Sequence, residues 1–242
     1  CVAVVSMAGG RASGRGGGVA GGGGGPAAED AVVKYGLAVA GVVGPDAFAA
    51  NTNLEPGQIL VLSKALGTGI LATAIKAGWD GAEALARELV ASAARLNKGP
   101  ARAIREPQIR AATDITGFGL GGHLLEMAEA SDVAIDLDAG SLPALPRAIE
   151  LAGVGLLPAG CYANRRYRQK DTAVGDDVDP LLVDLVFDPQ TSGGIVLAVP
   201  PGRLDDALAI LKDEGDLGRV IGAVVPADKG PRLRIGNGRN RP

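Results

Sequence analysis

The residues best suited to chemistry lie in the run 111–120, AATDITGFGL, which sets one carboxylate beside a glycine-punctuated turn. A helix is predicted to follow, and the first N–H groups of a helix have no intrahelical partner and lie at the positive end of its dipole. Such a turn binds phosphate through the backbone alone, and Gly117 and Gly119 would let that backbone approach closely. Asp114 offers the hard oxygen that Mg2+ takes from proteins. The run therefore predicts a site for a magnesium-neutralised phosphate.

The same run also fits a purely structural interpretation. In that interpretation the two glycines serve packing, and Asp114 caps the helix that follows. The run taken alone leaves both interpretations open.

A second polar segment, Asp188–Gly194, combines a carboxylate, an amide, two hydroxyls and two glycines in seven residues. An apolar run typical of a strand follows it. A tight turn would explain most of this composition, with Thr191 and Ser192 satisfying backbone groups and the glycines supplying positive φ. Turn chemistry alone does not select Gln190, so a second anion or substrate contact stays an alternative.

The other reactive side chains are predicted to have no catalytic role. His123 lies among apolar residues at helical spacing, which is typical of a packed or surface side chain. Cys161 has only two nearby arginines to lower its thiol pKa, so it is predicted to be an inert loop thiol. The short basic cluster 165–170 is predicted to be a solvated loop, with anion contacts as the alternative.

Composition limits the class of protein. The 242 residues carry a net charge of −3 with both signs interspersed, which predicts no nucleic-acid-binding face. Two cysteines give neither a disulfide framework nor a metal-ligand spacing, which fits a reducing, cytoplasmic location. We expect a soluble, unexported chain without a membrane segment, because no apolar run reaches the length of a span and the N-terminus lacks a leader pattern.

Glycine punctuation and apolar periodicity divide the chain. Eleven of the 17 residues from Gly9 to Gly25 are glycine, which predicts a disordered arm. Beyond it, strands and helices alternate without an internal repeat, and several connections are too short for a crossover. We therefore predict an α+β fold with α/β layers, in which helices pack on a mixed β-sheet. The predicted strands are 35–43, 59–62, 133–137, 220–225 and 232–235. The predicted helices are 69–76, 145–151, 203–214, one along 120–128, and one that is capped by Asp80 and stopped by 97–100. Residues 158–179 are predicted to be a polar loop.

With these motifs identified, the chain resembles selenophosphate synthetase (selenide, water dikinase), of the superfamily that includes aminoimidazole ribonucleotide synthetase. The resemblance covers about Tyr35 to Ile235 and is carried by segments in family order. They are KYGLAV at 34–39, PG at 56–57, KALGTG at 64–69, LN at 96–97, ATDITGFGL at 112–120, GHLLEMA at 122–128 and DPQTSGG at 188–194.

The resemblance implies an activity and a site. The family phosphorylates selenide with ATP, giving selenophosphate, AMP and phosphate for selenocysteine and selenouridine synthesis, with Mg2+ as cofactor. The family's magnesium ligand falls on Asp114, and its nucleotide-contacting Gly-Gly-His segment falls on Gly24, Gly25 and Pro26, where proline replaces histidine. The implied partners are the small molecules ATP and selenide, not nucleic acid or membrane.

The resemblance also implies a division of the chain. Residues 1–54 would be a remnant of the N-terminal ATP-binding domain, and residues 55–242 the C-terminal synthetase domain of the aminoimidazole ribonucleotide synthetase-like fold. The family acts as a homodimer through its N-terminal domains, so a homodimer of this chain is doubtful.

The family's catalytic cysteine or selenocysteine, its lysine and its further metal-binding aspartates have no counterpart here. One carboxylate cannot hold the several ions that the triphosphate needs, so we expect no catalytic residue and no turnover by this chain alone. Three explanations remain: an enzyme completed by a separate N-terminal half, a non-catalytic module that binds Mg-nucleotide or anions, or a truncated or mis-framed product.

Overall fold

The computed structural model describes residues 2–7, 37–42 and 48–238. Two compact units divide the chain between Phe48 and Ala49. In the first unit, β1 (Val2–Met7) and β2 (Leu37–Val42) form an antiparallel pair. The strand predicted over 35–43 is confirmed as β2, whereas β1 was not predicted. The glycine-rich arm and the predicted nucleotide contacts Gly24, Gly25 and Pro26 lie outside the described residues.

The second unit is built on a seven-stranded sheet. Its strands, in chain order, are β3 (Ile59–Leu62), β4 (Ala111–Asp114), β5 (Val133–Asp138), β6 (Thr172–Val174), β7 (Ile195–Val199), β8 (Arg219–Pro226) and β9 (Leu233–Gly236). They lie side by side in the order β4-β7-β3-β8-β5-β9-β6. The pairs from β4 to β5 are antiparallel and the pairs β5-β9 and β9-β6 are parallel. The predicted mixed sheet is thus confirmed.

Eight helices accompany this sheet within residues 48–238. They are α1 (Thr68–Lys76), α2 (Ala82–Ala94), α3 (Lys98–Arg105), α4 (Gly119–Ala130), α5 (Ala148–Gly153), α6 (Ala159–Arg168), α7 (Pro180–Phe187) and α8 (Leu204–Asp213). Short 3-10 turns occupy Ala139–Ser141, Gln169–Asp171 and Pro201–Arg203. None of the helices in the described part of the chain is long and apolar enough to cross a membrane.

Consecutive strand residues point to opposite faces of the sheet, and the two faces are covered to different extents. Leu60 and Leu62 of β3 belong to the larger core, which the apolar sides of α1, α4, α5 and α7 complete. Val61 between them packs into a second core with Ala207 and Leu211 of α8. The second core lies over β4, β7 and β3, which explains why β3 and β7 read as continuous apolar runs; further along the sheet, Asp136 of β5 is exposed.

Four predictions about individual elements were wrong. The predicted polar loop 158–179 contains α6 and β6. Asp80 does not cap α2, whose N-cap is Gly81 without a side-chain hydrogen bond. Residues 97–100 do not stop α2, which ends at Ala94; they open α3, with Pro100 in its first turn, where a missing N–H costs nothing. The helix predicted from Leu145 begins instead at Ala148.

Candidate functional site

Asp114 ends the edge strand β4 with its side chain exposed. Its residue pairs with Ile195 of β7, and the next backbone N–H, that of Ile115, donates to the carbonyl of Gly194 at 2.9 Å. Ile115 itself is fully buried. The Asp114 carboxylate makes no hydrogen bond or ion pair within the described residues. An anchored backbone therefore presents a free carboxylate to solvent.

The turn that follows Asp114 is held from several sides. The carbonyl of Thr116 accepts from the backbone N–H groups of Gly119 and Gln190, both at 3.0 Å. The carbonyl of Gly117 accepts from Nδ2 of Asn164 on α6 at 2.9 Å. The turn is thus connected to α4, to the 188–194 segment and to α6, so its conformation is set by tertiary contacts.

The two glycines of this turn differ in how much space a side chain would have. Gly119 has φ of +70°, and a Cβ there would lie 2.8 Å from the backbone carbon of Phe187. Packing and backbone conformation together require glycine at this position. A Cβ on Gly117, in contrast, would meet nothing within 4 Å. The structure thus gives Gly119 a packing role and leaves open space over Gly117.

The alternative role for Asp114, capping of α4, is wrong. The N-cap of this helix is Phe118, which makes no side-chain capping bond. Asp114 therefore has no structural task within residues 48–238 that would select a carboxylate.

The 188–194 segment caps α1 from a distance. Oε1 of Gln190 accepts from the N–H groups of Gly67 and Thr68, at 3.1 and 3.2 Å, and from the Thr68 hydroxyl at 3.0 Å. Oδ2 of Asp188 accepts from Gly69 N at 3.1 Å. The Gln190 amide Nε2 in turn donates to the main-chain oxygen and to Oδ2 of Asp188, both at 2.8 Å. The N-terminus of α1 has no local side-chain cap, and Gln190 supplies one. This explains the residue type at position 190, which turn chemistry did not.

Asp188 is fully buried, and its Oδ1 has no hydrogen-bond partner within the described residues. Burial raises the pKa of this carboxyl to about 7, against the opposing effect of the N–H donors of Gln190 and Gly69. The folded chain therefore binds a proton that the unfolded chain has released.

This proton gives a pH dependence of known sign. Between about pH 4 and about pH 7 the free energy of unfolding should fall as pH rises, because the folded form holds the proton. The slope from this one group reaches about 1.4 kcal/mol per pH unit. Asp188→Asn cannot titrate, so its stability relative to the native chain should improve as pH rises. Urea denaturation of both proteins at several pH values measures the difference; parallel pH profiles would contradict the prediction.

Lys64 also contacts the 188–194 segment, and it caps the C-terminus of α2. Its buried ammonium donates to the carbonyls of Ser92, Arg95 and Ser192 at 3.3, 2.6 and 3.0 Å. A cation at the negative end of a helix dipole is favourable. Burial lowers its pKa, with the neighbouring Asp216 opposing and Arg95 adding to the shift.

Lys64→Met should lower the free energy of unfolding by about 3 kcal/mol, because charge-assisted hydrogen bonds are lost and carbonyls remain in a part-buried site. Lys76→Met is the matched control, since Lys76 is exposed in the last turn of α1. The control should change stability by less than about 0.5 kcal/mol. Equal denaturation midpoints for the two variants would show that Lys64 has no capping role.

The remaining candidates lie elsewhere. His123 is buried on α4, so it is a packed and not a surface side chain, the two environments that the sequence left open. Cys161 is buried in α6, not in a loop, and its Sγ donates to the carbonyl of Asp184 at 3.2 Å. Burial raises its thiol pKa to about 12, so the predicted inertness has a physical cause. Arg165 and Arg168 are on a helix, not in a solvated loop, with ion pairs to Asp184 and Glu129.

The 188–194 segment therefore joins two distant segments, because it is hydrogen-bonded both to 64–69 and to 114–119. Within the described ranges, no group of three or more histidine, cysteine or acidic side chains could enclose a metal ion. The chemistry available here is one free carboxylate on a fixed backbone, beside open space over Gly117. It suits an ion whose remaining ligands come from phosphate, water or other residues.

The comparisons with known proteins identify the class. Residues 55–233 match the family described as AIR synthase related protein, C-terminal domain, and the chain belongs to this family. A curated relative from Nitratidesulfovibrio vulgaris strain Hildenborough, named selenide, water dikinase, is 53% identical over 206 residues. That match covers 85% of this chain and 59% of the relative, so the chain spans less than two thirds of the relative's length.

Two solved structures show the shared fold. The crystal structure of E. coli HypE is 21% identical with a TM-score of 0.61, covering 84% of this chain and 54% of that protein. The crystal structure of hydrogenase maturation protein HypE in complex with ATP is 16% identical with a TM-score of 0.50, covering 80% and 52% of the two chains. At these identities the likeness concerns the fold alone.

Proposed function

We propose that this chain is the C-terminal part of a selenophosphate synthetase, which uses ATP to phosphorylate selenide and releases AMP and phosphate. The observation that carries the proposal is its 53% identity to a selenide, water dikinase. It is supported by the hydrogen bonds that join the motif segment 188–194 to the motif segments 64–69 and 112–120. We also propose a cytoplasmic location, which the lack of a disulfide framework in the sequence supports.

Asp114 is the proposed magnesium ligand. Its carboxylate fits the task because it is exposed, unpaired within the described residues and held on an anchored backbone. Mg2+ would reduce the negative charge of the ATP phosphates there. The open space over Gly117 would admit a phosphate oxygen. The other ligands would come from phosphate, water and carboxylates of an N-terminal domain.

The rest of the nucleotide site stays a prediction. Residues 1–54 are proposed as the end of an N-terminal ATP-binding domain, residues 55–242 as the synthetase domain, and Gly24, Gly25 and Pro26 as nucleotide contacts. A protein of this fold has been crystallised with ATP, which supports a nucleotide as the ligand. The described residues supply one suitable carboxylate, so we also propose that the isolated chain does not turn over.

A chimera tests the proposal. The N-terminal part of the Nitratidesulfovibrio relative, joined to residues 49–242, should release AMP from ATP only when selenide is added. Residues 49–242 alone should release none. A soluble, folded chimera without selenide-dependent AMP release would contradict the proposed reaction.

The alternative is a non-catalytic module that binds Mg-nucleotide or another anion. It is favoured by the absence, within the described ranges, of a side-chain cluster able to enclose a metal ion. Calorimetry distinguishes the two: saturable heat with Mg-ATP, together with an inactive chimera, would favour the module.

A further inference from the structure

His123 connects α4 to the turn after Asp114. Its Nε2 lies 3.2 Å from the backbone nitrogen of Thr116 and 2.9 Å from the Thr116 hydroxyl. Its Nδ1 lies 3.1 Å from Oε2 of Glu126, one helical turn further along α4. The side chains thus form a chain from a hydroxyl through an imidazole to a carboxylate.

The hydrogen bonds fix the form of the imidazole. A backbone N–H can only donate, so Nε2 must offer a lone pair to Thr116. The ring proton of the neutral imidazole then resides on Nδ1, where it donates to Glu126. The His123 side chain is only 10% exposed, so water does not readily replace Nε2 as the acceptor of the Thr116 N–H.

Both backbone groups of Thr116, the N–H and the carbonyl, are therefore hydrogen-bonded. Its N–H is held by His123, and its carbonyl by the N–H groups of Gly119 and Gln190. Among these bonds, the imidazole is the one contributed by a side chain and therefore the one that substitution can remove. Thr116 is two residues from Asp114 and separated from it by the buried, anchored Ile115.

We propose that His123 is a positioning residue: as the Nδ1-protonated imidazole oriented by Glu126, it holds the Thr116 backbone and thereby keeps the Asp114 carboxylate in its metal-binding position. This inference rests on the proposed function only for the metal. The connection between His123 and the turn is a property of the fold.

The first test concerns the turn itself. NMR of the full chain should show His123 as the Nδ1-protonated neutral form and a slowly exchanging Thr116 amide. His123→Leu removes the acceptor, so this amide should exchange at least tenfold faster. His123→Gln, whose Oε1 can reach the position of Nε2, should restore most of the protection. Ala130→Ser, an exposed change on the same helix, is the control and should leave the amide unchanged.

The second test concerns the metal. Mn2+ with ATP serves as the probe, and binding of this complex to the protein is measured by the enhancement of water-proton relaxation. His123→Leu should weaken Mn2+ binding at least tenfold, and His123→Gln less than threefold. Native affinity in His123→Leu, or unchanged Thr116 exchange, would overturn the proposal. If His123→Leu does not fold, the tautomer in the native chain and the His123→Gln variant decide.

The two failures can be separated. If the native chain binds no Mn2+ with ATP but Thr116 exchange follows His123 as expected, the proposed metal site is refuted while the positioning of the turn stands. If Mn2+ binds but His123→Leu leaves binding and exchange unchanged, the positioning role is refuted and the metal site stands.

Discussion

Gln190→Ala should be among the most destabilising single substitutions in this fold, lowering the free energy of unfolding by about 4 kcal/mol. The Gln190 side chain is buried and makes five hydrogen bonds, three as acceptor and two as donor. Alanine would leave the N–H groups of Gly67 and Thr68 buried without an acceptor. The N-terminus of α1 has no side-chain cap of its own to replace them.

Urea denaturation of residues 49–242 measures this effect, and two variants interpret it. Thr191→Ala changes the next residue, which is exposed and whose hydroxyl makes no hydrogen bond within the described residues, so stability should change by less than about 0.5 kcal/mol. Gln190→Glu keeps the acceptor but sets a buried oxygen against the two Asp188 oxygens to which Nε2 donated, so it should be no more stable than Gln190→Ala. A Gln190→Ala protein as stable as Thr191→Ala would show that the capping bonds are not needed.

The fold was predictable where a local pattern matched its final environment. The helical spacing of Leu120, Leu124, Met127 and Ala128 correctly predicted the buried side of α4. The short apolar runs correctly predicted β3, β5, β8 and β9, and the short connections correctly predicted a mixed sheet. In each case the residues that form the element also supply the burial that stabilises it.

Helix α6 could not be predicted in this way, because its stabilising partners lie elsewhere in the chain. Only Cys161 of its ten residues is buried, so there is no apolar period to detect. Polar contacts fix the helix instead. Asn164 binds the carbonyls of Gly117 and Phe187. Arg165 binds the carboxylate of Asp184, and Arg168 binds that of Glu129. Polar residues that looked like a solvated loop form the contacts of a surface helix.

The candidate site shows the same limit. Asp114 was recognised because a carboxylate beside glycines is a local pattern. The capping of α1 by Gln190 was not recognised, because the partners are 123 residues apart and each of the two segments resembles a complete turn on its own. The connection of His123 to Thr116 spans seven residues, yet it depends on how the turn folds back on α4. Sequence patterns thus revealed the carboxylate but not what holds it.

Asp114→Asn should separate binding from stability. The carboxylate makes no hydrogen bond or ion pair within the described residues, so its replacement should change the free energy of unfolding by less than about 0.5 kcal/mol. Affinity for Mg-ATP should nevertheless fall at least about tenfold, because substitution of even the outer partners of metal ligands has effects of that size. Calorimetric titration of residues 49–242, and of the chimera, measures it.

Asp205→Asn is the matched control for this substitution, because it removes the same charge from an exposed aspartate in the first turn of α8. A loss of affinity shared by both variants would reflect net charge alone and would contradict a ligand role for Asp114. Gln190→Ala provides the opposite comparison: it should reduce stability first, and binding only through the Thr116 turn to which its backbone is bonded. A binding defect without a stability defect, found at Asp114 and not at Asp205, is therefore the result that distinguishes a metal ligand from a structural or purely electrostatic residue.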